Sequence, residues 1–233
     1  MILTGAGRGL RFNPAAANPG YALGTNEKPV QKAIAHYLRP GQVFYDIGAN
    51  VGFFTAIAAK RVGPTGFVYA FEPVPENAQS IRHNINLNGF SQVTVFEQAV
   101  SDKSGVGALF VTHYAGGSTL STVGKPSDTR EVINVSLISI DDLVTRRTLL
   151  PPSLVKIDVE GAELDVLKGM RHTLKKHRPL LIYEIDDGNN ERFRQKQNSC
   201  EAFLKNLDYT IIALEDSYQD NLWFVANFLA RPQ

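Results

Sequence analysis

The stretch from Val43 to Thr55 constrains the fold more than any other part of the sequence. Val43 to Tyr45 is an apolar strand pattern that runs into an acid, Asp46, and then into a loop containing Gly48 and Gly52. A helical pattern follows at once. A strand, a glycine loop and a helix N-terminus in this order form a site at which backbone N–H groups closely approach a ligand. The stretch therefore predicts the first βα unit of a cofactor-binding α/β sheet.

The composition of this loop discriminates between two kinds of cofactor. A dinucleotide fingerprint requires Gly-x-Gly-x-x-Gly, but the third position of the loop is Asn50 instead of glycine. An acid two residues before the first glycine suits a ligand with an amine and a sulfonium better than it suits a pyrophosphate. The loop therefore favours S-adenosylmethionine (SAM), with S-adenosylhomocysteine (SAH) as product, over a nicotinamide cofactor. The residues expected to contact the cofactor here are Asp46, Gly48, Ala49, Asn50 and Gly52.

A second acid at a suitable spacing strengthens this interpretation. On their own, the glycines are also explained by a tight turn, and Asp46 by hydrogen bonds that fix the loop. Glu72, at the end of the second predicted strand, follows Gly48 at close to the ~20-residue spacing of an acid that binds ribose hydroxyls. The alternative is that Glu72 caps the helix that begins near Pro75. We expect Glu72 to bind the cofactor.

Polar residues lie at the ends of the predicted strands. In an open α/β sheet, ligands bind outside the carboxyl ends of the strands, near the point where the strand order reverses. Buried carboxylates are costly without partners, and a cationic, hydroxyl-rich cofactor supplies them. After the third predicted strand, Val93 to Ala99, we expect Ala99, Val100 and Ser101 to contact an adenine ring, although an ordinary strand-to-turn transition explains them equally well. The polar strand-end residues are Asp46, Glu72, Gln98 to Asp102, Asp158 with Glu160, and Glu184.

The segment from Lys156 to Gly161 is the second informative cluster. Strand periodicity puts Lys156 and Asp158 on one face, and a lysine in an apolar strand needs a carboxylate partner. We expect Asp158 to lie beside the reactive end of the cofactor, with Asp158 or Glu160 taking a proton from an acceptor hydroxyl. The alternative is a salt-bridged strand end followed by a helix N-cap at Glu160 and Gly161. The candidate catalytic residues are Lys156, Asp158 and Glu160.

Three further residues are candidates for contact with the methyl acceptor. Glu27 lies near the N-terminus, Ser118 lies in a polar segment from Gly116 to Thr129, and Glu184 ends a strand. A polar segment of that length in a compact domain is usually functional or mobile, and its closure would exclude water. Glu184 would alternatively bind a metal ion, but the five histidines show no metal-type spacing. No metal site is predicted, and metal dependence stays open.

Alternating strand and helix patterns predict the fold class. The alternation runs through residues 42–233 and indicates one α/β domain with a mostly parallel sheet. Residues 1–41 form an N-terminal cap with a short strand at Leu10 to Phe12. A short polar link separates the last two strands, Tyr209 to Leu214 and Leu222 to Phe228, which predicts a closing antiparallel hairpin.

Composition excludes several classes of partner. A net charge of +1 gives no electrostatic case for nucleic acid. No apolar run approaches the ~18 residues that span a bilayer, and no signal peptide is evident. The single cysteine, Cys200, excludes a disulfide within the chain. We expect a cytoplasmic protein that acts on a small hydroxylated molecule, without a nucleic-acid or membrane partner and with an open oligomeric state.

Three motifs together resemble the FkbM family of SAM-dependent methyltransferases. They are Val-Phe-Tyr-Asp-Ile-Gly-Ala-Asn-Val-Gly (Val43 to Gly52), Phe-Glu-Pro (Phe71 to Pro73) and Lys-Ile-Asp-Val-Glu-Gly-Ala-Glu (Lys156 to Glu163). Leu23 to Glu27 is similar to the N-terminal segment of the family. The resemblance implies a Rossmann-like seven-stranded sheet with a reversed last strand, which is the class I methyltransferase architecture. It also implies O-methylation of a sugar or a polyketide-type natural product.

The resemblance also assigns positions around the cofactor. It implies that Asp46, Gly48 and Asn50 line the methionine end of SAM and that Glu72 binds the ribose. It implies that Asp158 and Glu160 face the methyl group, without deciding which of them is the base. Substrate recognition would then come from the N-terminal cap and the segment near Gly116.

Two other functions compete with methyl transfer. A nicotinamide oxidoreductase would use a similar sheet, but Asn50 and the absence of a Tyr-x-x-x-Lys pair count against it. A non-enzymatic binding module would keep the fold without the chemistry. The intact acids Asp46, Glu72 and Asp158 argue against that second alternative.

Overall fold

A seven-stranded sheet with helices on both faces forms the centre of the protein. The computed structural model describes residues 1–15, 17–113, 117–215 and 223–233. Within those ranges, no helix combines the length and apolar character needed to cross a membrane. The helices are α1 (Gly20–Leu23), α2 (Lys28–Tyr37), α3 (Phe53–Val62), α4 (Pro75–Leu87), α5 (Ile140–Thr145), α6 (Glu163–Gly169), α7 (Arg171–His177) and α8 (Asn190–Lys205).

The strands form this large sheet and a second, smaller one. They are β1 (Val43–Ile47), β2 (Phe67–Phe71), β3 (Val93–Phe96), β4 (Ala99–Val100), β5 (Gly105–Thr112), β6 (Thr119–Leu120), β7 (Thr129–Ile138), β8 (Leu154–Ile157), β9 (Leu180–Asp187), β10 (Tyr209–Ala213) and β11 (Phe224–Pro232).

The strand order of the large sheet is β10-β11-β9-β8-β1-β2-β3. β1 pairs in parallel with β2 and β8, and β9 extends the parallel run beside β8. β11 runs antiparallel to both of its neighbours, β9 and β10. The strand order reverses between β1 and β8, and the crevice at such a point is where open α/β sheets bind ligands. The predicted Rossmann-like, mostly parallel sheet with a reversed last strand is confirmed.

Because side chains alternate between the two faces of the sheet, the apolar core is divided into two layers. Successive side chains of a strand point to opposite faces, so Phe44 packs in the layer of α2 and α3, whereas Tyr45 packs in the layer of α6 to α8. All five residues of β1 are buried, as expected for a strand that is covered on both faces. Asp46 lies within this strand, so its carboxyl group has no access to solvent.

The second sheet has the strand order β4-β7-β5-β6. The third predicted strand, Val93 to Ala99, is wrong at its C-terminal end because β3 ends at Phe96. Ala99 and Val100 leave the large sheet and pair in parallel with β7 instead. The predicted polar segment from Gly116 to Thr129 contains β6, although Gly116 itself lies outside the described residues. This sheet places β6 and the segment after it beside the carboxyl ends of the large sheet.

The N-terminal cap is held by a side-chain amide and not by strand pairing. The strand predicted at Leu10 to Phe12 is not formed. The N–H of Arg11 donates to Oδ1 of Asn88 at 2.9 Å, and its carbonyl accepts from Nδ2 of Asn88 at 2.7 Å. Because this amide satisfies both backbone groups, no partner strand is needed, and the cap is anchored to the end of α4.

The C-terminal hairpin has the predicted antiparallel pairing. Tyr209 of β10 is opposite Pro232 of β11, and Ala213 is opposite Phe228. The polar link predicted from Glu215 to Asn221 lies outside the described residues after Glu215.

Gly48 fixes the glycine loop between two strand ends. Its N–H donates to the carbonyl of Phe71 at 3.0 Å. Its φ is +81°, and an added Cβ would lie 1.7 Å from the carbonyl oxygen of Asp158. The close approach that requires glycine here is therefore made by the backbone of the protein itself.

We expect Gly48→Ala to lower the free energy of unfolding by about 3 kcal/mol or more, because the new methyl group displaces the end of β8. Gly89→Ala is the matched control, since its φ is +66° and nothing lies within 4 Å of the added Cβ. Gly89→Ala should lower the free energy of unfolding by only roughly 1–2 kcal/mol, the cost of holding alanine in the left-handed conformation. Urea denaturation measures both variants, and equal losses would show that the clash at Gly48 is unimportant.

Candidate functional site

A cavity of about 830 Å³ opens at the carboxyl ends of β1, β2, β8 and β9. Its volume lies in the range of small-molecule and cofactor sites. One side is formed by the glycine loop and the residue after β2. The other side is formed by the end of β8, the end of β9 and the segment that contains β6. The predicted residues that line it are Glu27, Gly48, Asn50, Glu72, Ala99, Val100, Ser118, Asp158, Glu160 and Glu184.

Five predicted residues lie behind this wall, in positions that support it. Ala49 donates its N–H to the carbonyl of Phe71 at 3.1 Å, and Gly52 packs against Ile81. Ser101 donates its N–H to Ile138 of β7. The predicted residues that do not line the cavity are Asp46, Ala49, Gly52, Ser101 and Lys156.

Glu72 joins the glycine loop to the start of α4. Its Oε2 accepts from the N–H of Asn50 at 2.8 Å, and its Oε1 accepts from the N–H of Val74 at 3.0 Å. Burial raises the pKa of Glu72 to about 7, although these hydrogen bonds favour the carboxylate. The N–H of Val74 precedes the first residue of α4, so this contact fixes the turn before the helix and does not cap its first turn. The same carboxyl group faces the cavity.

Asp46 is a fully buried acid on the central strand. Its Oδ2 accepts from the hydroxyl of Thr55 at 2.6 Å, and its Oδ1 has no hydrogen-bond partner among the described residues. Burial raises the pKa of Asp46, while the charge of Lys156 and the Thr55 hydrogen bond oppose that rise. The register of the sheet places Asp46 directly beside Lys156.

Lys156 supplies the buried positive charge of the site. Its side chain is 2% exposed, and its Nζ lies 2.7 Å from Oδ2 of Asp158. It also lies 4.7 Å from the centroid of the Phe54 ring, a cation–π contact. Burial alone would lower the pKa of Lys156, but the charges of Asp158, Glu27 and Asp46 raise it overall. The side chain is therefore a charged ammonium group at any physiological pH.

Three carboxyl groups converge on this ammonium group. Oxygen atoms of Glu27, Asp158 and Glu184 lie within 4.8 Å of one another. Glu184 is fixed by the side-chain amide of Asn227, which donates to its Oε2 at 2.9 Å. Burial and the charge of Asp158 raise the pKa of Glu184. Oxygen ligands of this kind also suit a hard divalent cation, a grouping that sequence spacing alone did not identify.

The cap brings Glu27 to the cavity. Glu27 is the N-cap residue of α2 with a φ of 41°, and its Oε1 accepts from Nδ2 of Asn26 at 2.7 Å. The buried amide of Gln31 donates to the carbonyl of Gly24 at 3.1 Å. These contacts explain why a residue far from the sheet in sequence lies at its carboxyl edge.

The turn after β8 carries a second group of acids. Glu160 has a φ of 54°, and its carbonyl accepts from the hydroxyl of Thr119 at 2.8 Å. Burial raises the pKa of Glu160, as do the charges of Asp186 and Asp158. Glu163, 2% exposed, accepts from the N–H of Gly161 at 2.9 Å. The turn is thus held between β6 and the start of α6.

Several cavity residues were not predicted from the sequence. Asp186 lies two positions after Glu184 on β9, so strand periodicity could have identified it. Arg192 and Lys196 lie on α8, where their pattern is that of an ordinary solvated helix face. The unpredicted polar and aromatic residues at the cavity include Asn18, Tyr21, Asn77, Lys125, Asp128, Asp186, Asp187, Arg192, Lys196 and Trp223.

The residues present fit a cationic, hydroxyl-bearing cofactor. Oδ1 of Asn50, a residue that lines the cavity, is buried without a hydrogen-bond partner among the described residues. Buried polar atoms of this kind are costly unless a ligand satisfies them. The cavity also has more carboxyl groups than the ammonium group of Lys156 neutralises. A sulfonium and an amine would supply the missing positive charge.

Comparison with known proteins identifies the relatives of this chain. Residues 46–211 match the family described as Methyltransferase FkbM domain. The chain is 28% identical over 214 residues to the 31-O-demethyl-FK506 methyltransferase FkbM of Streptomyces tacrolimicus, covering 77% of this chain and 76% of that protein. It is 29% identical over 164 residues to the hexuronic acid methyltransferase AglP of Haloferax volcanii, covering 70% of this chain and 63% of that protein.

A solved structure supports the fold. The methyltransferase FkbM from Methylobacillus flagellatus KT has a TM-score of 0.55 and 19% identity, and the match covers 86% of this chain and 50% of that one. The sequence-based prediction of a methyltransferase is confirmed by the family match, and the nicotinamide oxidoreductase alternative is not supported.

The raised pKa of the buried Glu163 makes the free energy of unfolding depend on pH. Burial raises the pKa of Glu163 from 4.5 to about 7, so the folded state holds a proton that the unfolded state releases. The stabilisation is fully present below about pH 4.5 and is lost as the pH rises through about 7. Between about pH 4.5 and 7, this group should lower the free energy of unfolding of the wild-type protein by roughly 3 kcal/mol. We expect Glu163→Gln to abolish that part of the decline. Glu215→Gln, at an exposed site, is the control and should keep the wild-type slope in urea denaturation between these pH values.

Proposed function

Because the chain belongs to the FkbM family of SAM-dependent methyltransferases, we propose that it methylates a hydroxyl group of a small molecule, a sugar or a polyketide-type product. The observation that carries this proposal is the ion pair of Lys156 and Asp158 beneath a cavity rich in carboxyl groups. The relatives whose names refer to 31-O-demethyl-FK506 and to hexuronic acid support a small-molecule acceptor.

The proposed cofactor contacts follow the wall of the cavity. Gly48 and Asn50 would hold the methionine end, with the free Oδ1 of Asn50 as an acceptor for the amine. Glu72 would accept from the ribose hydroxyls through Oε2, which has two lone pairs and accepts from Asn50, whereas Oε1 already accepts from Val74 and Asn77. Ala99 and Val100 would contact the adenine. SAM supplies an activated methyl group on a positively charged sulfur.

The proposed base is Asp158. Lys156 engages Oδ2 of Asp158 and fixes its orientation, and the side chain is still 23% exposed toward the cavity. Asp158 would accept the proton that the acceptor hydroxyl loses, a contribution of about 10²–10⁴-fold for a positioned acid or base. Glu160 has a raised pKa, so it holds a proton to higher pH and would donate a hydrogen bond to the acceptor.

We expect Asp158→Asn to reduce kcat by about 100-fold or more, because the amide does not accept the hydroxyl proton. Glu160→Gln should reduce kcat by less than about tenfold, since the amide still donates a hydrogen bond. Transfer of a labelled methyl group to a panel of hydroxylated small molecules measures both variants.

Thermal unfolding with SAH provides the control for folding and cofactor binding. Both variants should keep a rise in Tm with SAH, since neither change removes the glycine loop. Full turnover of Asp158→Asn would contradict its role as base. A loss in Glu160→Gln equal to that in Asp158→Asn would assign the base to Glu160 instead. A wild-type protein that binds SAH but methylates no hydroxyl compound would favour the binding-module alternative.

A further inference from the structure

Trp223 is an exposed aromatic side chain at the wall of the cavity. It is the single tryptophan of the chain, it lines the cavity, and 53% of it is exposed. Its indole N–H donates to Oδ2 of Asp186 at 2.8 Å. A large exposed apolar ring that is fixed at a concave site points to a ligand more strongly than an isolated surface residue does.

The backbone beneath the ring is shaped to receive it. A Cβ at Gly188 would lie 2.7 Å from Cζ3 of Trp223 and 3.1 Å from its Cε3. The six-membered half of the indole therefore packs where a side chain of residue 188 would be. With one edge bonded to Asp186 and this contact to Gly188, the ring has a defined orientation.

The polar groups around the ring are paired and charge-balanced. Asp187 accepts from Nε of Arg192 at 3.0 Å, and its Oδ2 lies 3.0 Å from Nζ of Lys196. Asp186 and Asp187 contribute two negative charges, and Arg192 and Lys196 contribute two positive ones. These four side chains form a polar rim beside Trp223, and the rim offers both hydrogen-bond donors and acceptors without a net charge.

Resting on the function proposed above, we propose that Trp223 is the specificity-determining platform for a neutral pyranose ring of the acceptor. A pyranose has an apolar face of C–H groups that stacks on an indole, and an edge of hydroxyls that exchange hydrogen bonds with carboxylate and guanidinium groups. An apolar macrocycle would match the ring but not the polar rim. A uronate would bring a charge that the balanced rim does not require.

The platform lies next to the proposed base. Asp186 and Glu184 are two residues apart on β9 and therefore share a face of the sheet. Carboxylate oxygens of Glu184 and Asp158 lie within 4.8 Å of each other. A sugar ring stacked on Trp223 would thus lie in the same cavity as Asp158, beside the strand that carries Asp186 and Glu184.

The single tryptophan permits a direct binding test. Emission excited selectively from tryptophan comes from Trp223 alone, so stacking should change its intensity or wavelength. We expect a saturable change when methyl glucopyranoside, galactopyranoside or mannopyranoside is added to the SAH-saturated protein. Sorbitol, an acyclic polyol, should have no effect. The absence of any change with all three pyranosides would overturn the proposal, as would a response to sorbitol equal to the response to pyranosides.

Kinetic variants test the same contact through turnover. For the pyranoside that is methylated best, Trp223→Ala should raise KM by about tenfold, the ratio that corresponds to roughly 1.4 kcal/mol. Trp223→Phe keeps an aromatic face and should stay within about threefold of wild type. Gly188→Ala keeps the indole but displaces it, and should behave like Trp223→Ala. An unchanged KM in Trp223→Ala, or a stronger emission response to glucuronate than to methyl glucopyranoside, would contradict a neutral sugar platform.

The two proposals fail in different ways. If pyranosides change the emission but no hydroxyl is methylated, the sugar platform stands and the proposed function fails. If acyclic alcohols are methylated while no pyranoside binds, the proposed function stands and the platform fails.

Discussion

The buried ammonium group of Lys156 is the interaction on which the rest of the site depends. It lies on β8 beside Asp46 of β1 and 2.7 Å from the carboxylate of Asp158. A buried ion pair is stable only when its geometry is good and its remaining lone pairs are satisfied. Lys156 therefore fixes the position of Asp158 at the crevice where the strand order reverses. Gly48 of the glycine loop packs against the carbonyl of Asp158 at the same point.

The site nevertheless holds more acid than one ammonium group neutralises. Glu27 from the cap, Glu160 after β8 and Glu184 on β9 all reach the same cavity, and burial raises the pKa values of Glu160 and Glu184. Such an arrangement is costly in the free protein and becomes favourable when a cationic ligand enters. The physical match between the chain and SAM lies in this excess of carboxyl groups, which a cationic ligand would ionise, as much as in the loop that follows β1.

Local sequence patterns predicted the strand ends and the glycine loop of this site. The second sheet and the contacts of Trp223 arise instead from long-range packing. The apolar run before Asp46, the glycines of the loop and the period-two placement of Lys156 and Asp158 are local signals, and the observed ion pair agrees with them. The second sheet and the pairing of Ala99 and Val100 with β7 depend on contacts between distant segments. Trp223 contacts Gly188 and Asp186 because β11 pairs with β9. No spacing in the sequence indicates that contact.

Proton release on cofactor binding shows directly whether the carboxyl groups at the cavity respond to a cationic ligand. SAM and SAH differ by a methyl group and the positive charge on sulfur. Calorimetric titration of each ligand in buffers of different ionisation enthalpy gives the number of protons released on binding, and the difference between the two numbers isolates the effect of that charge. We expect SAM to release more protons than SAH near neutral pH, because the sulfonium would lower the raised pKa values of the carboxyl groups at the cavity. Equal proton release by the two ligands, or proton uptake with SAM, would contradict this expectation.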